Sequence, residues 1–243
     1  MESLKFKQHV IAHRGASFYA PENTMAAFQK AVDLGIEWIE LDVALTKDNH
    51  PIIIHDDTLN RTTNGVGDVG LYTLAQLKGL DAGSWFAPAF HQETLPTLTE
   101  LTSFLEKTNT YANVELKSLP GREETLVLAV LREMSAYLNR YNSRILFSSF
   151  SVPTLMLLRG AASNVRIGLL MEEWLPDWQV IASKLHCVSI HVDKDIVTKE
   201  YAKKVTASGR QFLCYTVDDP DEANRLLNMG IDAIFTNVPD RVV

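Results

Sequence analysis

Apolar residues along this chain come in two rhythms. Short runs dense in β-branched and aromatic residues alternate with stretches in which apolar positions recur at helical spacing, the pattern of parallel strands joined by crossover helices. The short runs predict eight strands: Val10–His13, Trp38–Leu45, Tyr111–Lys117, Arg144–Phe150, Val165–Leu170, Cys187–His191, Phe212–Val217 and Ala233–Thr236. Between them, helices are expected at about Asn23–Leu34, Thr99–Glu106, Glu123–Leu138, Val152–Leu158, Asp177–Lys184, Lys199–Ser208 and Asp221–Asn228. In the first of these, Ala26, Ala27, Phe28, Ala31 and Leu34 share an apolar face, with Asn23 or Thr24 as N-cap and Gly35 as stop. Alternation of this kind in 243 residues predicts an α/β fold of the TIM (β/α)8 barrel class, with residues 1–243 as one domain.

Two features interrupt the alternation. Pro51–His55 is a further β-like run that follows the second strand after only a short polar turn, which permits a hairpin but not a parallel crossover. With the turn centred on Asp48 and Asn49, antiparallel pairing sets His55 opposite Asp42. The second feature is the stretch Asp56–Pro96, including Asn64-Gly65-Val66-Gly67, which is far longer than an ordinary loop of about 4 to 6 residues. It reads as an insertion over the barrel mouth. No long-period repeat or interdomain linker points to a second domain.

Charged residues then change the picture, because they gather where strands end, the face on which barrels of this kind build active sites. His13-Arg14-Gly15 ends the first strand with an imidazole that can move protons, a guanidinium that can grip phosphate and a residue allowing close backbone approach. Glu40 and Asp42 are two apart on the second strand, so both face the barrel interior. Two unpaired carboxylates there call for compensation, and a hard divalent cation with oxygen ligands supplies it. Glu115 and Lys117 repeat the spacing on the third strand, adding a possible third ligand and an ammonium that can balance the cluster or hold a phosphate oxygen. Phe150, Tyr215 and Trp85 are candidates for an apolar wall, although Trp85 reads better as part of the insertion's own packing. Glu22 and Asn23 can orient His13 or cap the first helix. His191, at the end of the sixth strand, is expected to be structural.

Composition narrows the classes further. The chain is 46% hydrophobic and 22% charged, enough for a substantial core, and its formal charge of -7 argues against a general binder of nucleic acid or anionic membranes. No leader-like or membrane-spanning apolar run is seen, so a soluble, cytoplasmic protein without stable membrane insertion is expected. Cys187 and Cys214 each lie in an apolar run and read as reduced core residues.

The ordered set His13-Arg14-Gly15, Pro21-Glu22-Asn23-Thr24, Glu40-Leu41-Asp42, His55-Asp56 and Glu115-Leu116-Lys117 resembles the glycerophosphodiester phosphodiesterase family over nearly the whole chain. Ser148-Ser149-Phe150 and Thr236-Asn237-Val238-Pro239-Asp240 are also similar. Two places depart from the commoner pattern: Tyr215-Thr216-Val217-Asp218 replaces a Trp-led Thr-Val-Asn run, and Asn237 stands where Asp is usual. The resemblance implies His13 and His55 as the general acid/base pair and Glu40, Asp42 and Glu115 as ligands of one divalent ion, Mg2+ or Ca2+. It implies Arg14 and Lys117 on the phosphate, and the apolar wall of Phe150 and Tyr215 would then stand beside the glycerol or the alcohol. The implied reaction is hydrolysis of a small glycerophosphodiester, such as glycerophosphocholine or glycerophosphoethanolamine, to sn-glycerol 3-phosphate and an alcohol. Which His is acid and which base stays open, as does direct attack by water against a cyclic phosphate. The other readings are a lysophospholipase D or lyase acting on lipid-like substrates, favoured by an apolar rim of Trp85, Phe86 and Phe90, and a non-catalytic phosphate-ligand barrel. The last would be expected to have lost one of the five acid/base and ligand positions, all of which are present.

Overall fold

In the computed structural model of the chain, residues 4–242 are described. In chain order the elements are β1 (Val10–Ala12), α1 (Met25–Asp33), β2 (Trp38–Leu45), β3 (Pro51–Ile53), α2 (Leu74–Leu77), α3 (Leu98–Thr108), β4 (Tyr111–Leu116), α4 (Glu123–Tyr141), β5 (Ile145–Ser149), α5 (Val152–Ala161), β6 (Arg166–Met171), α6 (Trp178–Lys184), β7 (Ser189–Asp193), α7 (Lys199–Ala207), β8 (Gln211–Tyr215), α8 (Pro220–Asn228) and β9 (Ala233–Thr236). The strands pair in the order β1-β9-β8-β7-β6-β5-β4-β2, and β1 also pairs with β2, so eight parallel strands close on themselves. The barrel expected from the alternation is present, with β3 as an extra antiparallel strand on β2.

Alternation along the strands makes two cores. Outward residues such as Leu41, Val43, Val114, Ile167 and Ile190 pack beneath the helices in the main apolar cluster. Inward residues Ile11, Trp38, Leu146, Leu213 and Phe235 meet Leu4 and Phe6 of the N-terminal segment in a second cluster that fills the lower barrel. Above it, polar side chains line one side of the interior and Phe150, Leu170 and Tyr215 the other. Helix starts follow the capping chemistry in the sequence. Thr24, Thr97, Ser151, Thr198 and Asp219 each accept a backbone N–H with the side chain, and Thr97 forms a capping box with Glu100. Strand β7, the sixth of the barrel, begins two residues later than its apolar run suggests. The Cys187 amide is taken by the Ala182 carbonyl at 2.9 Å, finishing the preceding helix, and pairing can start only beyond it.

Between β3 and α3 the chain makes only short helical turns, but it owns a third apolar cluster: Leu59, Val69, Leu77, Ala82 and Leu95 pack on Ala44, Ile52 and Ile54 of the hairpin. Among the described residues no helix is long and apolar enough to cross a membrane. Cys187 and Cys214 are free and buried.

Candidate active site

The C-terminal ends of the strands surround a cavity of about 250 Å³, and its walls hold His13, Arg14, Glu40, Asp42, His55, Glu115, Lys117, Phe150 and Tyr215 together. Residues far apart in sequence are thus delivered to one place by strand ends.

After β1 the backbone turns sharply through Arg14 and Gly15, at φ 56 and 80. A Cβ at Gly15 would lie 2.7 Å from the Ala27 carbonyl carbon, so the close approach of this turn to α1 requires glycine. The turn aims the Arg14 amide at Glu40 Oε2, 2.9 Å away, and sends its guanidinium to Glu22 at 2.8 Å, with Nε 3.5 Å from Asp42 Oδ2. Desolvation works against the Arg14 charge, but Asp42, Glu22 and Glu40 outweigh it and hold the pKa above its ordinary value.

His13 Nδ1 lies 2.8 Å from Asn237 Oδ1, while Asn237 Nδ2 donates to Asp218 Oδ2 at 2.7 Å. A carboxylate only accepts, so the amide nitrogen must face Asp218 and its oxygen must face His13. The proton of the neutral imidazole then sits on Nδ1, and Nε2 presents a lone pair to the cavity, 4.0 Å from Glu40 Oε2. Burial, aided by the neighbouring Arg14 charge, pushes the His13 pKa down to about 4. The two departures from the commoner family pattern therefore touch each other: the carboxylate is at 218 and the amide at 237, and a hydrogen bond joins them.

Strand pairing sets Glu40 beside Asn113 and Asp42 beside Glu115. One carboxylate oxygen from each of Glu40, Asp42 and Glu115 falls within a mutual 4.8 Å. Desolvation, then the charges of Asp42 and Glu115, raises the Glu40 pKa well above the carboxylate range; desolvation and Asp42 lift Glu115 to about 7. Lys117 Nζ, 3.2 Å from Glu115 and 4.0 Å from Asp42, relieves part of this repulsion. Asn113, 1% exposed, lines the same cavity with its Oδ1 unpartnered, while its Nδ2 donates to Ser148. Three crowded carboxylates, with the ionisation of Glu40 and Glu115 opposed, fit a hard divalent cation.

His55 reaches the cavity by a different route from the expected one. Val43 pairs with Ile53 and Leu45 with Pro51, so Ile54, not His55, comes opposite Asp42, with its amide 3.0 Å from the Asp42 carbonyl. The turn is odd-numbered: Thr46 N–H bonds to His50 O, and Asn49 takes the left-handed conformation at φ 62, as in a three-residue hairpin loop. That geometry moves the register by one residue, and Ile52 and Ile54 go to the third apolar cluster. Strand pairing ends at Ile53, and the imidazole swings into the mouth beyond the strand.

His55 Nδ1 is 2.7 Å from Asp56 Oδ1. Asp56 takes two bonds from Arg61, at 2.7 and 2.8 Å, which hold its carboxyl well below the usual range. The same guanidinium donates to both Glu22 oxygens at 2.6 and 2.9 Å. Desolvation of Glu22 is outweighed by Arg61 and Arg14, and its pKa falls to about 2. A chain of charge-assisted bonds, His55 to Asp56 to Arg61 to Glu22 to Arg14, thus links the insertion to the β1 turn. Arg61 was not singled out in the sequence, where it is one arginine in a polar loop. Glu22 holds Arg14, not His13. Asn23 donates to Asp42 Oδ2 at 2.8 Å, leaving the α1 cap to Thr24.

The opposite wall is apolar. Phe150 meets Tyr215 edge to face at 5.9 Å and 87°, and Leu170 and Phe235 lie beside them. Thr216, and Glu172, which the sequence pattern did not mark, line this wall too. Trp85 is outside the cavity, packed edge-on against Phe86. His191 is fully buried below the site, 2.8 Å from Ser189 Oγ, and a Cβ at Gly168 would meet its ring at 2.5 Å. Burial pushes its pKa down to about 3, in keeping with a structural residue.

Residues 13–241 match the model of the glycerophosphoryl diester phosphodiesterase family. The chain is 37% identical to a glycerophosphodiester phosphodiesterase of Caldanaerobacter subterraneus subsp. tengcongensis, over 98% of this chain and 97% of that protein. It is 33% identical to a glycerophosphodiester phosphodiesterase of Bacillus subtilis, over 95% of this chain and 83% of that protein. Its fold is similar, with a TM-score of 0.93 and 36% identity over 96% of this chain and 94% of the other, to an Oleispira antarctica phosphodiesterase solved in complex with the product sn-glycerol-3-phosphate.

Proposed function

The chain belongs to the glycerophosphoryl diester phosphodiesterase family, a phosphoric diester hydrolase that releases glycerol 3-phosphate from glycerophosphodiesters, and from that premise we propose how its own residues carry the reaction. Residues 1–243 act as one barrel domain, with 56–96 as an insertion at the mouth. The observation that carries the reading is the convergence of two imidazoles, three carboxylates and two fixed cations on one cavity. Glu40, Asp42 and Glu115 would hold one divalent ion, Mg2+ or Ca2+; bound there, it supplies charge neutralisation for the diester and its transition state. Arg14 and Lys117 hold the non-bridging phosphate oxygens, and Phe150 and Tyr215 flank the organic parts of the substrate. His13, neutral and with Nε2 open to the cavity, accepts the proton of the attacking hydroxyl. His55, held through Nδ1 by Asp56 at 2.7 Å, donates a proton from Nε2 to the departing alkoxide. General acid/base residues of this kind contribute about 10²- to 10⁴-fold each.

The test is release of glycerol 3-phosphate and free choline from glycerophosphocholine by purified protein, with EDTA or with added Mg2+ or Ca2+. Release that EDTA abolishes and one of the ions restores supports the metal role of the three carboxylates. Release that is indifferent to EDTA, by protein shown to be free of metal, removes it.

A further inference from the structure

The phosphate chemistry occupies one wall of the cavity and leaves the other with a charge it does not use. Glu172 lies just beyond β6, exposed and lining the cavity, and makes no hydrogen bond or ion pair with any described residue. The other charged groups facing the cavity are committed: Arg14 to Glu22, Glu40 and Asp42, Lys117 to Glu115, and His55 to Asp56. Beside Glu172 stands the aromatic pair. Tyr215 donates its hydroxyl to the Met171 carbonyl at 3.0 Å, so the phenol proton is spent on the protein and the ring is fixed. Phe150, 40% exposed, offers only its π-system. Apart from the Thr216 hydroxyl, this wall presents aromatic surface and one anionic acceptor.

We propose that Glu172, Phe150 and Tyr215 form a headgroup subsite that selects glycerophosphodiesters whose alcohol carries a positive charge, the quaternary or primary ammonium alcohols. The inference rests on the phosphodiesterase reading and names the substrate class within it. A diester anchored by its phosphate on Arg14 and Lys117 carries its two organic arms away from that wall. The enclosed part of the far wall, at Leu170 and Phe235, suits the glycerol arm common to all substrates. The exposed rim, at Phe150 and Glu172, faces the variable arm. A cation there gains attraction from the aromatic quadrupole and from the unpaired carboxylate, whereas a polyol finds an acceptor but little to accept from. A substrate that is negative at one end and positive at the other also matches the polarity of the cavity.

The experiment is kcat/KM on glycerophosphocholine, glycerophosphoethanolamine and glycerophosphoglycerol, for the unaltered protein and for Glu172→Gln, with metal saturating. Glu172→Gln is isosteric, and its thermal midpoint reports that it folds. The expected result is a fall of about three- to tenfold in the ratio of cationic to neutral substrate, through KM, with Glu172→Asp recovering part of it. An unchanged ratio, whether because all three substrates suffer alike or none does, overturns the subsite. Failure of the unaltered protein to cleave any of the three would instead overturn the hydrolase reading, and this inference with it.

Discussion

The two histidines are held in opposite ways. His13 leans through Nδ1 on a neutral amide, Asn237, whose charge partner Asp218 is one bond further away. His55 leans through Nδ1 on a carboxylate, Asp56, clamped in turn by Arg61. His13 is deep, with its pKa pushed down by burial to about 4; His55 sits at the half-open rim, on the insertion side. Each ring keeps Nε2 toward the cavity, but only the rim histidine has an anion in contact to balance a second proton. On the proposed mechanism, one fold thereby equips two identical side chains for different ends of a proton transfer. The difference lies in what stands behind each ring and in how deeply the ring is buried.

The largest effects should come from removing the rings. His13→Ala and His55→Ala should each lower kcat by about 10²- to 10⁴-fold while leaving the thermal midpoint nearly unchanged, since neither ring belongs to an apolar core. Near-normal turnover in either variant takes that residue out of the mechanism. Next come the groups behind the rings. Asp56→Asn and Asn237→Asp should each cost about 10- to 100-fold in kcat, the second because two carboxylates then face each other at 237 and 218. The double change Asp218→Asn with Asn237→Asp restores an amide–carboxylate pair with reversed polarity and should recover most of the loss. If the double variant is as poor as Asn237→Asp, the contact between 218 and 237 is not what supports His13. Metal binding should follow protons on the carboxylates. The Glu115 pKa is raised to about 7, so its ionised form is disfavoured below that pH and protons compete with the cation there. Divalent affinity measured by calorimetry should be about tenfold weaker at pH 6 than at pH 8. In Glu115→Gln it should be weak throughout, with the pH dependence reduced to what Glu40 contributes; a wild-type-like titration in this variant contradicts the ligand assignment. The smallest effect is expected from Arg61→Ala, which leaves Asp56 in place but frees it to move: a loss of several-fold, with the thermal midpoint changing little because the guanidinium is half-exposed.

Much of this was readable from the chain because it depends on local periodicity. Glu40 and Asp42 face inward by strand alternation, and Trp38 on the same face fills the lower core, so one strand shows both the floor and the mouth. The helix caps are likewise local. The hairpin register was not, since it turned on whether the loop has an even or an odd number of residues. Asn49 in a left-handed conformation decides that, and asparagine only permits it. The supporting residues were least visible. Arg61, Glu172 and the contact between Asp218 and Asn237 carry no periodic signal; they become meaningful only when closure of the barrel brings β9, the β8–α8 loop and the insertion to the same rim. The paired departures at 218 and 237 were the one available clue, because two exchanges of complementary chemistry suggest a contact.

The contrast between the two histidines is tested most directly by changing the leaving group. A glycerophosphodiester of p-nitrophenol departs as a stable phenolate and needs no proton from the enzyme. On this ester His55→Ala should retain activity within about tenfold of the unaltered protein, although it loses about 10²- to 10⁴-fold on glycerophosphocholine, and His13→Ala should lose heavily on both. If His13→Ala is the variant rescued by the activated ester, the two rings have the reverse roles; if neither is rescued, neither ring protonates the leaving group.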